Sequence, residues 1–198
     1  MPIEIIVIIV FFVLMAGTIF VGCRFLAVNK LNPTGKGAYK KTASTLKRFA
    51  VIRGYKVISN INFTHKGKQH YLENVLIGRF GILVVHTLGG RGEYYGQLES
   101  AEWRRQLNDK KELFPNPVIA QDEAVTALRA VLSQSKVYSV PIECLVVLTS
   151  LSNKTKMYIT NDNRIFMPKK LGTYLGREKF ENDAGVNIEE ICAVIDSL

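Results

Sequence analysis

The stretch Leu72-Glu73-Asn74-Val75-Leu76-Ile77-Gly78-Arg79-Phe80-Gly81-Ile82-Leu83-Val84-Val85-His86-Thr87-Leu88 holds two apolar runs joined by a Gly-Arg-Phe-Gly link. Apolar runs of this length, rich in β-branched residues and bounded by glycine, read as strands over residues 71–78 and 81–87, and the short joint suits a hairpin. Upstream, Val57, Ile58, Ile61 and Phe63 mark a further strand over residues 56–63. Before it, residues 37–53 read as a basic helix that turns Leu46, Phe49 and Ala50 toward a core and ends at Gly54.

Downstream, Gly89-Gly90-Arg91-Gly92 lacks the spacing of a nucleotide-binding loop and reads as a turn, followed by a strand from Tyr94 toward Trp103. Asn116-Pro117 opens a helix to about Ser135, with Val125, Leu128, Val131 and Leu132 on one face. The unbroken apolar run over residues 142–149 has the character of a central, doubly covered strand. Two short strands near residues 157–160 and 164–167 and two helices complete the chain. The last helix starts at Asn187, with Glu190 three residues on. Strands interleaved with helices, and helices at both ends, give a mixed α/β domain.

The 198 residues suffice for one domain and an accessory segment. Cys23, Cys144 and Cys192 share no metal-ligand or disulfide spacing, which excludes a zinc module or a cystine-stapled scaffold. Residues 5–23 carry no charge, and about twenty apolar residues cross a bilayer core. Arg24 and Lys30 follow at once, so the positive-inside rule places the N-terminus outside and the domain in the cytoplasm. The division is then an anchor with its basic flank over 1–29 and a cytoplasmic domain over 30–198. Val21-Gly22-Cys23 loosely resembles a lipoprotein cleavage box, but no cation precedes the apolar run.

Several pieces fall in an order that resembles the nuclease-related domain, NERD, of the restriction-endonuclease-like superfamily, from about Gly37 to Ser150. They are Gly37-Ala38, Tyr55-Lys56-Val57-Ile58, the strand Leu72 to Gly78, the strand Gly81 to Leu88, Gly96-Gln97-Leu98 with Trp103, and Phe114-Pro115-Asn116-Pro117 with Gln121. The resemblance implies a restriction-endonuclease-like mixed sheet flanked by helices, preceded here by one transmembrane helix. It also implies a site in which an Asp on one strand and a Glu-x-Lys on the next hold Mg²⁺ and orient water. In this chain Glu73 stands at the Asp position, His86 at the Glu position, Leu88 at the Lys position and Ala38 at the opening-helix Glu.

One carboxylate is left, and the resemblance therefore points to a catalytically degenerate domain that binds nucleic acid or a protein partner at the cytoplasmic membrane face. Two readings stand beside it. In the first, the protein is an active nuclease in which Glu73 and His86 share one metal, with Glu93 joining from the next turn. In the second, it is a membrane scaffold with no nucleic acid role. No cofactor is expected except Mg²⁺ or Mn²⁺ under the nuclease reading. His65 and His70 read as solvent- or phosphate-facing and Cys144 as a small buried hydrophobe. Tyr94, Tyr95 and Trp103 read as cross-strand core residues or as a stacking platform for bases.

The formal charge of +9 is confined to one block. Between Glu4 and Glu73 there are eleven Lys and Arg and no acid, whereas residues 73–198 carry 15 basic and 16 acidic side chains. Lys36, Lys40, Lys41, Lys47 and Arg48 on the opening helix are the candidate contacts for anionic lipid or for a nucleic acid backbone.

Overall fold

The computed structural model describes residues 12–20, 36–149, 155–159 and 163–198. Helix α1 (Lys36–Arg53) leads into β1 (Lys56–His65), β2 (Lys68–Gly78) and β3 (Gly81–Gly89). A smaller sheet follows with β4 (Gly92–Gly96), β5 (Glu102–Leu107) and β6 (Lys110–Pro115). The chain then returns through α2 (Pro117–Gln134) to β7 (Ile142–Thr149). Strands β8 (Thr155–Ile159) and β9 (Ile165–Phe166) and helices α3 (Pro168–Leu175) and α4 (Ile188–Asp196) complete it.

The main sheet has the order β1-β2-β3-β7-β9, antiparallel from β1 to β3 and parallel from β3 to β9. The second sheet runs β6-β5-β4-β8, with β4 and β8 parallel. One face of the main sheet presents Val75, Ile77, Ile82 and Val84 to Ala124, Leu128 and Leu132 of α2 and Ile191 and Ile195 of α4. The other presents Leu76, Leu83, Val85, Leu145 and Val147 to Leu46 and Ala50 of α1 and Leu171 and Leu175 of α3. Helices on both faces explain why β2, β3 and β7 read as continuous apolar runs. The mixed α/β architecture and the expected helices at residues 37–53 and 117–134 are found, with Gly54 at φ 68° ending α1.

The hairpin β5–β6 departs from expectation, since residues 110–115 show no strand period in the sequence. Its outward side chains Lys110, Lys111, Glu112 and Leu113 are exposed, so the segment carries almost no buried face to betray its period. Among the described residues no helix is long and apolar enough to cross a membrane. Of the span expected over residues 5–23, residues 12–20 are helical with exposed Val13, Leu14 and Phe20, and the rest lies outside the described residues.

One local break in the main sheet positions the site. Asn60 adopts a left-handed backbone, φ 61°, so Ser59 pairs with Asn74 and Ile61 with Leu72 while the step between them is not laddered. Side-chain alternation slips there in both strands. Val57 packs on the α1 side, whereas Ile58, Ile61 and Phe63 pack on the α2 side. In β2, Leu72, Val75 and Ile77 share the α2-side core. Glu73 and Asn74 sit at the slip, both fully buried, and neighbouring side chains that a regular strand would send to opposite faces touch each other. The Asn60 carboxamide oxygen accepts from the hydroxyls of Tyr39 and Tyr71, each at 2.8 Å, which fixes the unusual backbone from α1 and β2 together.

Candidate functional site

Extending the β2–β3 register one step beyond Asn74 and Val85 sets Glu73 opposite His86. Glu73 is 4% exposed, and its Oε2 lies 3.3 Å from His86 Nδ1. That ring nitrogen has no aligned hydrogen-bond partner, so the contact is one of proximity. The Glu73 carboxylate is committed elsewhere: Oε1 accepts from Asn74 Nδ2 at 3.0 Å and Oε2 from the Thr87 backbone N–H at 2.8 Å. Asn74 is in turn oriented by the Ser59 hydroxyl, which donates to its Oδ1 at 2.8 Å.

Burial dominates the electrostatics of this pair. It pushes the Glu73 carboxyl up to about 7, against the pull of the Thr87 and Asn74 hydrogen bonds. Burial also holds the His86 imidazole below its ordinary value, since a charged ring loses water there. Near neutral pH the pair is therefore a neutral imidazole beside a carboxyl close to half protonation, with no fixed ion pair.

The other expected participants do not assemble around it. Glu93 is held on β4, where its carboxylate accepts from the Tyr95 hydroxyl at 2.6 Å and lies 3.3 Å from Lys156 Nζ. Leu88 packs into the cluster of Trp103, Val118 and Val146 beneath the second sheet, so its position serves packing. Ala38 belongs to α1 and brings no donor atom. Mg²⁺ is a hard cation that takes six oxygens in octahedral geometry, held by one or two free carboxylates with water or phosphate filling the rest. Among the described residues no group of three His, Cys, Asp or Glu is placed to hold a metal ion. One carboxylate whose oxygens already accept protein hydrogen bonds, next to one imidazole, does not fit Mg²⁺.

Lys40, Lys41, Lys47 and Arg48 all face solvent on α1, and none has an acidic partner among the described residues. Lys36 begins that helix, and its side chain lies outside the described residues. Of the two readings of the aromatic segment, the core one holds for Tyr94 and Trp103 and the stacking platform does not. Tyr94 and Trp103 are each 1% exposed, and the Trp103 indole donates to Gln97 O at 2.9 Å. Only Tyr95 stays at the surface, stacked on Tyr158 at 4.9 Å beneath the Arg104 guanidinium. His65 and His70 border an open cavity of about 660 Å³ with Lys66, Lys68 and Asp122. Cys144 is buried, and desolvation with the nearby Asp122 carboxylate pushes its thiol up to about 12, which makes it an inert core residue.

Asn116 caps α2 and has a second role besides. Its Oδ1 accepts from Val118 N–H at 2.9 Å while Nδ2 donates to Leu98 O and Ser100 O, both at 2.8 Å. It thus ties the loop of the second sheet to the start of α2. The αβββ run, strands β4 to β6 of the second sheet and the Asn-Pro helix start all lie within the match to one described family. Its model, the nuclease-related domain, NERD, matches residues 34–149. The chain belongs to the NERD family. The matched region runs from just before α1 to the end of β7 and includes Glu73, His86 and Asn116. No curated protein and no solved structure matches the chain. Within the NERD region, the residues that the sequence reading missed are Asn74 and Thr87. Neither has a signal in the sequence, because a strict two-residue period sends Glu73 and Asn74 to opposite faces of the sheet.

Proposed function

We propose that the protein is a membrane-anchored NERD domain of restriction-endonuclease-like ancestry that has lost metal-dependent cleavage and serves as a binding module at the cytoplasmic face. The observation that carries this reading is the closed Glu73–His86 pair. The one acidic side chain there is raised toward neutrality and hydrogen-bonded by Asn74 and Thr87, and its neighbour is a neutral imidazole. Leu88 supports it by packing inward where the family pattern wants a cation. The anchored part of the reading rests on the nineteen uncharged residues 5–23 and on the cations that follow them. The unpaired cations of α1 supply the binding surface, for a polyanion at that face.

Metal binding tests this directly. A ligand that binds only the native state at about 100 times its dissociation constant adds about 2.7 kcal/mol to stability. We expect millimolar Mg²⁺ or Mn²⁺ to leave the unfolding temperature of the full chain where EDTA leaves it. An EDTA-reversible rise that disappears in Glu73→Gln would restore a metal centre and overturn the reading.

A further inference from the structure

Helix α1 buries Thr42, Leu46 and Ala50 and turns the opposite stripe to solvent: Lys40, Lys41, Ser44, Lys47, Arg48, Val51 and Ile52. Val51 and Ile52 are 82% and 79% exposed, the highest values of any large apolar side chain among the described residues. Single exposed aliphatics need no explanation, but two adjacent ones at the end of a basic, acid-free stripe combine charge with apolar surface on one face. We propose that this stripe lies on an anionic lipid surface, with Lys40, Lys41, Lys47 and Arg48 among the headgroups and Val51 and Ile52 in the headgroup–acyl boundary. The inference rests on the anchored reading above and names the polyanion.

Two features choose lipid over nucleic acid. Val51 and Ile52 have no π face to stack on bases and gain nothing from a phosphate backbone, whereas a bilayer boundary takes up both the cations and the aliphatic side chains. Between Cys23 at the end of the uncharged run and Lys36 at the start of α1 lie only residues 24–35. At full extension that linker spans about 40 Å, so an anchored chain keeps α1 within reach of the bilayer whatever the domain's orientation. Four cations close to an anionic surface shift the docked-to-undocked ratio by about 10² to 10³.

The test uses the full chain reconstituted in nanodiscs carrying acyl-brominated lipid, either phosphatidylcholine alone or mixed with phosphatidylglycerol. An indole introduced by Ile52→Trp, or by Val51→Trp in a second preparation, reports contact, because the native Trp103 is buried. Quenching of the introduced indole is expected in the anionic discs only. It should be released by molar salt and lost when Lys40, Lys41, Lys47 and Arg48 are all changed to Gln. A chain that alkaline carbonate strips from the bilayer overturns the anchored reading. A chain that stays, with the indole unquenched in anionic discs, overturns the docking of α1 alone. Salt-sensitive binding of DNA or RNA through the same four residues, without lipid-dependent quenching, assigns the stripe to nucleic acid and also overturns it.

Discussion

Glu73→Gln is expected to stabilise the domain by about 3 kcal/mol more above pH 7 than below pH 4.5, at one pKa unit per about 1.4 kcal/mol. The sign follows from burial. The folded state holds the Glu73 proton up to about 7, whereas the unfolded chain releases it near 4.5. Between those values the native state binds more protons than the unfolded state, so wild-type stability falls as pH rises and levels off above the upper one.

His86 acts in the opposite sense. Its folded value is depressed below 6.5, so its contribution is present above 6.5 and lost as pH falls through the folded value. In wild type the two slopes oppose each other, and Glu73→Gln leaves only the histidine slope. Denaturant midpoints at about pH 5 and about pH 8 decide the matter, and the variant should gain stability between them while wild type gains less or loses. Parallel pH profiles for the two proteins would mean that Glu73 ionises freely and is solvated.

Asn116→Ala should cost about 3 kcal/mol, since it removes a helix cap worth about 1 kcal/mol and the amide donor to the half-buried carbonyls of Leu98 and Ser100. The side chain is 2% exposed, which leaves little room for water to replace it. Asn116→Ser separates the two roles. A serine keeps the cap but cannot reach both carbonyls, and about 2 kcal/mol of the loss should persist. Equilibrium unfolding of the three proteins measures this. A serine variant as stable as wild type would reduce Asn116 to an ordinary cap.

The fold was legible where burial was two-sided. The runs 72–78, 81–87 and 142–149 have no polar period because α1 and α3 cover one sheet face and α2 and α4 the other. The Asn116 and Asn187 starts were legible because capping is local chemistry, and Asn187 does accept from the Glu190 N–H at 3.2 Å. The β5–β6 hairpin was not, because exposed residues on β6 leave no pattern to read.

At the site, the types and the pairing of Glu73 and His86 followed from strand positions, but their state did not. That state depends on the left-handed Asn60, which slips the alternation of two strands and buries Glu73 against Asn74. Nothing local announces an asparagine that will be fixed by tyrosines 21 residues before it and 11 after it. The same holds for the aromatic segment. Tyr94 and Trp103 look alike with Tyr95 in sequence, and only the packing of β4 and β5 against the start of α2 and against β7 and β9 decides which of them meets solvent.

Incubation of the full chain with single- and double-stranded DNA and RNA, in Mg²⁺ or Mn²⁺ and in EDTA, asks whether a NERD domain with this Glu73–His86 pair still cuts. No cleavage above the EDTA background is expected with any substrate or metal. EDTA-sensitive cleavage that vanishes in both Glu73→Gln and His86→Ala would make this pair a working catalytic centre and contradict its reading as a closed, metal-free remnant.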